Sequence, residues 1–226
     1  MSDSLATSTG SGAAPGPSPA PASGVRFCDV HPWGFGWISD SPSWMERASH
    51  ALLAGAPGEE PGVWLVDPVD FPGLDDRVRA LGRPAGVVQL LDRHNRDCAL
   101  VSARLGVPLW VAPREIPGAP FEVVSVRRWR RWQEAALWWP EQRVLVVAEA
   151  VGTPRYYRAP GERLGVHPLM RLSPPRLLER YPAEHVLCGH GGGVHGDAAA
   201  ALREAFAAAR VNGLRVLPRL LTFARR

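Results

Sequence analysis

The sequence predicts a protein of the α/β class, in which buried strands lead into polar loops and then into helices. Residues 86–91 (GVVQLL) are rich in β-branched side chains and bounded by turn formers, which is typical of a short buried strand. A helical pattern follows and stops at Gly106, and residues 109–111 form another apolar run. This order predicts a βαβ unit, which keeps loop residues at the carboxyl end of a strand, where open α/β sheets bind ligands.

The segments before this unit predict a hairpin, a strand pair and a helix. Residues 25–38 alternate aromatic residues with glycine, a pattern that favours a hairpin. Two apolar runs, at 48–53 and 63–67, are separated by a turn-rich stretch and predict an antiparallel pair. Residues 74–81 are amphipathic and predict a helix.

Strands return in the second half of the chain. They are predicted at residues 121–126, 135–139, 144–148 and 186–188. The run 144–148 (VLVVA) delivers Glu149 at its carboxyl end, and the last strand leads into a glycine-rich turn that carries His190. An alanine-rich helix near residues 197–210 follows, with Asp197 as a plausible N-cap.

Composition indicates one domain behind a disordered tail. Residues 1–24 are dominated by Ser, Thr, Gly, Ala and Pro, with Asp3 as their one charged side chain, so they cannot offset the entropy of ordering. Residues 25–226 are long enough for a single domain with a sizeable core. Three widely separated cysteines indicate reduced thiols in a cytoplasm. No run of about 18 apolar residues is present, so no membrane span is expected.

Polar groups follow the predicted strands at three places. Residues 92–98 (DRHNRDC) hold two carboxylates, two guanidiniums, an imidazole, an amide and a thiol. Glu149 and His190 follow two later strands. Because ligand sites of open α/β sheets lie at the carboxyl ends of strands, we expect these groups to share one pocket.

The order of parts resembles the metallo-β-lactamase fold, a four-layer αββα sandwich with mixed sheets whose hydrolases hold one or two zinc or iron ions. Residues 63–68 (VWLVDP) are similar to the family's second strand and its terminal aspartate, and residues 89–113 to its strand, HxHxDH loop and helix. Residues 144–149 resemble the strand that carries the bridging aspartate, and residues 186–190 the strand that ends in the last histidine ligand. The resemblance covers residues 25–210 and implies a hydrolase-like fold.

The resemblance also implies that most of the metal ligands have been replaced. In chain order, the family's ligand positions fall on Arg93, Asn95, Asp97, Cys98, Arg130, Glu149 and His190. Of these, Asp97 and His190 have the residue type that the family uses. Arginine cannot ligate a metal because it does not deprotonate in proteins. A standard dinuclear site is therefore not expected.

In the first interpretation, the pocket is free of metal and binds a small anionic molecule. Guanidinium groups then occupy the region of the former metals and are balanced by carboxylates, an arrangement suited to bidentate binding of a carboxylate. The expected catalytic residues are Asp97, Glu149 and His190, and the expected ligand-binding residues are Arg93, His94, Asn95, Arg130 and His167.

A rebuilt mononuclear metal site is the second interpretation. Its zinc or iron ligands would be Asp97, Cys98, Glu149 and His190, with His94 or His195 able to contribute. Such a metal could activate water for hydrolysis. The residues alone leave both interpretations open.

A third interpretation is nucleic-acid binding through residues 127–132 (RRWRRW), where arginine could contact phosphates and tryptophan could stack on bases. All 26 basic residues of the chain are arginine, yet the net charge is a modest +4. A solvated strand or loop edge is the commoner meaning of such a run, so nucleic acid is not the expected partner. His31, His50 and His185 are interpreted as structural residues.

Overall fold

Two mixed sheets form the centre of the computed structural model, which describes residues 24–39, 45–94, 96–130 and 132–223. The first sheet contains, in spatial order, β1 (Val25–His31), β2 (Gly34–Ser39), β3 (Ala48–Ala54), β4 (Gly62–Val66), β5 (Pro84–Gln89) and β6 (Leu109–Val111). Strands β1 to β4 pair antiparallel, whereas β4, β5 and β6 run parallel. Helices connect the parallel strands, because a parallel pair needs a crossover connection.

The second sheet uses most of the strands that follow. These strands are β7 (Glu122–Trp129), β8 (Trp132–Trp139), β9 (Val144–Val147), β10 (Val151–Gly152), β11 (Gly165–Val166), β12 (His185–Cys188) and β13 (Val194–His195). The sheet has the order β13-β12-β9-β8-β7, and β10 pairs with β11 in a separate ladder. Strands β9 and β12 are parallel, and their carboxyl ends therefore meet at one end of the sheet.

The α-helices of the described chain are α1 (Leu74–Leu81), α2 (Cys98–Leu105) and α3 (Ala198–Phe223). Helix α2 ends where Gly106 adopts the left-handed conformation with a φ of 68°, and its N–H donates to the carbonyl groups of Ser102 and Ala103. Glycine is favoured at such a position because it has no Cβ to clash.

Side-chain alternation along β4 defines the layers. Val63 and Leu65 pack in one hydrophobic cluster with Val78 of α1 and with residues of α2. Trp64 and Val66 point the opposite way and belong to the cluster that includes the second sheet and α3. The layers are therefore α1 and α2, the first sheet, the second sheet, and α3.

This architecture confirms the predicted α/β class with mixed sheets, including the hairpin at 25–38, the antiparallel pair and the helix at 74–81. Helix α3 continues past its predicted end at residue 210, because Asn212 and Val216 stay buried on the same helix. Gly24 is the single residue of the expected tail that the structure describes, and the boundary at residue 25 stays a prediction.

None of the described helices combines the length and the apolar content that a bilayer crossing requires.

Candidate functional site

Four polar side chains meet where strands of the two sheets end. Asp67 follows β4 and His94 lies in the loop after β5, while Glu149 and His190 follow β9 and β12. Within each sheet the two strands concerned are parallel neighbours, so their carboxyl ends lie side by side. The sandwich brings both ends together, and three of these side chains, His94, Glu149 and His190, have donor atoms within 4.8 Å of one another.

His94 is buried and held from one side by Asp67. Its Nδ1 atom lies 2.9 Å from Asp67 Oδ2, and its Nε2 atom lies 3.4 Å from Glu149 Oε1. Because the carboxylate can only accept a hydrogen bond, Nδ1 carries the hydrogen. Nε2 makes no hydrogen bond of acceptable geometry with any described residue, which is unusual for a buried polar atom.

His190 has the same arrangement with a different acceptor. Its Nδ1 atom lies 2.9 Å from the carbonyl oxygen of Met45, which can only accept, and 3.1 Å from the hydroxyl of Tyr156, which itself donates to the same carbonyl at 3.1 Å. Nδ1 therefore donates to Met45, and the lone pair of Nε2 is directed toward Glu149 Oε1, 3.9 Å away. The ring of Tyr157 stacks on the imidazole with 5.9 Å between centroids.

Two nitrogen groups approach the second carboxylate oxygen of Glu149. His167 Nδ1 accepts the backbone N–H of Leu169, so the hydrogen of this ring is on Nε2, which lies 3.4 Å from Glu149 Oε2. A guanidinium nitrogen of Arg93 lies 3.6 Å from the same oxygen. These two groups orient the carboxylate and leave Oε1 facing His94 and His190.

The charges in the site follow from burial and from these contacts. Burial opposes the ionisation of Glu149, but the neighbouring imidazole of His94, with contributions from the charges of His167 and His190, lowers its pKa to about 2. Burial and the charge of nearby Arg96 lower the pKa of His190 to about 3. His190 is therefore neutral and Glu149 is ionised at pH 7.

The pKa values of His94 and His167 are shifted in opposite directions. Burial would lower the pKa of His94, but the charge and hydrogen bond of Asp67 outweigh burial and raise it. Burial lowers the pKa of His167 to about 4, with Arg93 adding to the shift. His94 therefore binds a proton more readily than an ordinary histidine, whereas His167 has no charge at neutral pH.

Glu134 fixes the backbone that carries Glu149. Its buried carboxylate accepts the N–H groups of Glu149 and Ala150, at 2.9 and 2.8 Å, and the indole N–H of Trp132, at 2.9 Å. The Trp132 ring in turn lies under the guanidinium of Arg93, 3.8 Å from its centroid. Glu134 of β8 thus fixes the position of Glu149, which follows β9.

The donor set fits one metal ion. Two imidazole Nε2 lone pairs and one carboxylate oxygen face one another, and none of the three receives a proton from its outer partners. The separations of 3.4 and 3.9 Å are near the roughly 3.4 Å between ligands of a tetrahedral zinc ion with bonds of 2.0–2.1 Å. Asp67 and the Met45 carbonyl support the imidazoles in the way that hydrogen-bond acceptors orient metal-ligating histidines.

A second ion beside the first has no comparable set of ligands among the described residues. The guanidinium of Arg96 reaches the carbonyl oxygens of Ala48, Asp67 and Gly189 next to this site, the last two at 3.1 and 2.7 Å. Guanidinium groups cannot ligate a metal. The described residues of this site therefore offer a ligand set for one ion.

The structure places the predicted residues in two sets. Arg93, His94, Glu149, His167 and His190 come together. The remaining members have other contacts: Asp97 accepts the backbone N–H of Asp70 at 2.8 Å, Cys98 is the buried first residue of α2, and Arg130 is exposed in the turn between β7 and β8. The loop after β5 turns His94 inward, so Asp97 and Cys98 begin α2 instead of facing Glu149. Asn95 lies outside the described residues.

Several contributing residues were not predicted as site residues. Asp67 had a signal, because it ends a buried strand in the segment that resembles the family's second strand. Arg96 lies in the polar run at 92–98, but nothing in the run distinguished it. Glu134 and Tyr156 had no signal, since they act through contacts with distant parts of the chain, as in the bond from the Glu149 N–H to Glu134.

The Arg and Trp run forms the end of the β7–β8 hairpin. Arg128 donates to the carbonyls of Ala112 and Pro113, and Arg127 donates to Ser173. Trp129 is 63% exposed, whereas Trp132 is buried beside the site. Two of the arginines are thus committed to the protein's own carbonyl groups, and binding of nucleic acid by this run stays a prediction.

A scan against protein-family models and a search of curated proteins found no match. Solved structures do match over most of the chain. TMB-1, solved in a study of substrate and inhibitor binding, superposes with a TM-score of 0.57 at 14% identity, covering 85% of this chain and 99% of TMB-1. A metallo-β-lactamase from Pontibacter korlensis has a TM-score of 0.57 at 16% identity, with 82% and 99% coverage. The DIM-1 metallo-β-lactamase has 0.55 at 17% identity, with 84% and 98% coverage.

Proposed function

We propose that this chain, whose fold is similar to that of solved metallo-β-lactamases, is a hydrolase that uses one divalent metal ion. His94, Glu149 and His190 are the proposed ligands. The observation that carries the proposal is the convergence of two Nε2 lone pairs on Glu149 Oε1, with both Nδ1 hydrogens already donated elsewhere. The lone pairs of the two Nε2 atoms and of Glu149 Oε1 repel one another, so a cation or a proton is needed between them.

An ion in this position would supply Lewis-acid chemistry for attack on a carbonyl or phosphoryl group. The protein's own residues prepare the site. Asp67 and the Met45 carbonyl hold the two imidazoles in one tautomer, and His167 turns Glu149 so that Oε1 faces them. Because His167 is neutral at pH 7, its Nε2–H group lies beside the carboxylate without adding charge.

Arg93 indicates the substrate class. Its side chain is 42% exposed, is stacked on Trp132 and lies 3.6 Å from Glu149. A guanidinium held on an aromatic ring at the edge of a site is suited to bidentate binding of a carboxylate or phosphate. The proposed substrates are therefore small molecules with an anionic group near the bond to be hydrolysed.

Metal content tests this function directly. Untagged protein, freed of metal with a chelator and then dialysed against zinc, is compared with Glu149→Gln and with Glu141→Gln, a matched change at an exposed turn. We expect Glu149→Gln to lose one equivalent of zinc by elemental analysis, and Glu141→Gln to retain it. Equal zinc content in the two variants would refute the metal site.

Hydrolysis is then measured on the loaded proteins. A chromogenic β-lactam, a carboxylated thioester and a p-nitrophenyl phosphodiester represent three classes of scissile bond. Turnover that disappears in Glu149→Gln and persists in Glu141→Gln supports the hydrolase. A zinc-loaded wild type that is inactive on all three while binding the carboxylated thioester would reduce the proposal to a metal-dependent binding protein.

Metal-free binding of an anion is a second candidate. The raised pKa of His94 favours it, because a proton between His94 and Glu149 satisfies the same lone pairs that an ion would. Arg93 would then bind the anion. In chelator-treated protein, citrate should raise the melting temperature of wild type and of Arg114→Ala, an exposed control, but not of Arg93→Ala. A citrate response that Arg93→Ala retains would contradict this candidate.

A further inference from the structure

Three histidines meet at the opposite end of the second sheet from Glu149. His31 is the last residue of β1, His185 is the first residue of β12, and His195 is the last residue of β13. His185 and His195 are direct partners in the antiparallel β12–β13 pair, so both side chains stand on one face. The edge strand β1 of the first sheet brings His31 to the same place.

The three rings form a nearly equilateral triangle. Their centroids are separated by 4.8 Å between His31 and His195, 4.9 Å between His31 and His185, and 5.2 Å between His185 and His195. One ligating nitrogen from each ring lies within 4.8 Å of the others. A tetrahedral zinc ion with Zn–N bonds of about 2.0–2.1 Å separates its imidazole rings by roughly 5 Å.

Neighbouring groups fix the orientation of two of these rings. Asp29 Oδ1 lies 2.9 Å from His195 Nε2, and the same oxygen accepts the backbone N–H of Gly193 at 2.8 Å. Because the carboxylate is an acceptor, His195 carries its hydrogen on Nε2, and the lone pair of Nδ1 faces His185 Nδ1, 3.0 Å away. His31 stacks on Trp33 with 4.3 Å between centroids and 5° between planes.

We propose that His31, His185 and His195 bind one zinc ion, or a divalent ion of similar preference, in a site separate from the one at Glu149. Three imidazoles without a carboxylate ligand favour Zn²⁺, Ni²⁺ or Cu²⁺ over Mg²⁺ and Ca²⁺. Asp29 acts as the carboxylate that orients a ligating histidine from behind. The half-exposed rings leave the fourth position open to solvent.

This ion would connect the two sheets, and we call the site formed by His31, His185 and His195 the clasp. Strands β1 and β13 are terminal strands in their sheets, and the histidines join them side chain to side chain. The site is distinct from the first one because β12 separates them: His185 begins this strand and His190 follows its end, a distance of at least about 10 Å at 3.3 Å per residue.

Zinc stoichiometry of untagged full-length protein tests the proposal. Wild type, His185→Gln, His190→Gln and the double variant are freed of metal and titrated with zinc chloride by calorimetry. The clasp predicts that His185→Gln loses one equivalent, or binds it at least about 100-fold more weakly, whereas His190→Gln retains that equivalent. If the Glu149 site also binds zinc, wild type takes two equivalents and the double variant none. If the Glu149 site fails, wild type takes one, which His185→Gln still removes.

Wild-type protein supplies a measurement that does not depend on the folding of a variant. The imidazole resonances of His31, His185 and His195 should shift together when zinc is added. The half-exposed position of His31 also makes His31→Gln a mild second variant. Unchanged stoichiometry and affinity in both folded variants, or resonances of these rings that zinc does not affect, would overturn the clasp.

Discussion

The Nδ1 atom of His94 lies 2.9 Å from an Asp67 carboxylate oxygen, and this contact directs the opposite nitrogen of the ring toward Glu149. Asp67 is almost fully buried and comes from a different strand connection than His94. The orientation of the proposed ligand is therefore set by a residue that does not itself face the ion.

Asp67→Asn should weaken zinc binding at the Glu149 site by about 10–100-fold, because the amide no longer enforces one tautomer of His94. Calorimetric titration of zinc measures the change. Asp76→Asn, on the exposed side of α1, is the matched control and should bind zinc like wild type. Equal affinities in the two variants would show that Asp67 does not position His94.

Glu134→Ala should lower the free energy of unfolding by about 3–5 kcal/mol, because the Glu149, Ala150 and Trp132 N–H groups lose their shared buried acceptor. Urea denaturation followed by circular dichroism measures this loss. Gln133→Ala, at an exposed position of the same strand, should change stability by less than about 0.5 kcal/mol. A loss in Glu134→Ala no larger than in the control would mean that these bonds contribute little.

Acid should destabilise the protein between about pH 6.5 and pH 4. His167 has a pKa lowered to about 4 by burial, so in this window the unfolded chain binds a proton that the folded chain does not, and stability falls as pH falls. One such histidine contributes a slope of up to about 1.4 kcal/mol per pH unit. Urea midpoints at pH 7, 5.5 and 4.5 should therefore fall less steeply in His167→Gln. Parallel slopes in the two proteins would contradict the shift.

Two glycines should respond oppositely to an added methyl group. A Cβ on Gly213 would have its nearest neighbour at 3.8 Å, so Gly213→Ala should stabilise α3 by about 0.5–1 kcal/mol. A Cβ on Gly86 would lie 2.4 Å from the Trp110 ring and 2.9 Å from the Trp64 ring, so Gly86→Ala should be destabilising. Thermal unfolding of both variants measures the difference, and a Gly86→Ala protein as stable as wild type would contradict the close packing.

The fold was predictable because its strands are short apolar runs between turn formers. Residues 86–91 and 144–148 are almost continuous apolar runs because both faces of these strands are buried. The residue types alone therefore indicate the strands. The polar residues that end such strands, Glu149 and His190, were found for the same reason. The carboxyl ends of neighbouring parallel strands lie at the same edge of a sheet. The topology alone therefore brings Glu149 and His190 close together.

The inward-facing residue of the loop at 92–98 was not predictable in the same way. A loop has no side-chain periodicity, so nothing local distinguishes His94 from Asp97 as the residue facing Glu149. The distinction depends on Asp67, which is 27 residues away from His94 in the chain. Glu134 likewise becomes part of the site through hydrogen bonds to the next strand.

The guanidinium of Arg96 binds carbonyl oxygens at β3, after β4 and after β12, and so connects one sheet to the other at the end where Glu149 lies. Arginine keeps its charge throughout the pH range in which proteins fold, and no chelator can extract it. Assembly of this end of the sandwich therefore does not depend on the ion proposed at His94, Glu149 and His190, and the two sheets should stay joined there whether or not that ion is bound.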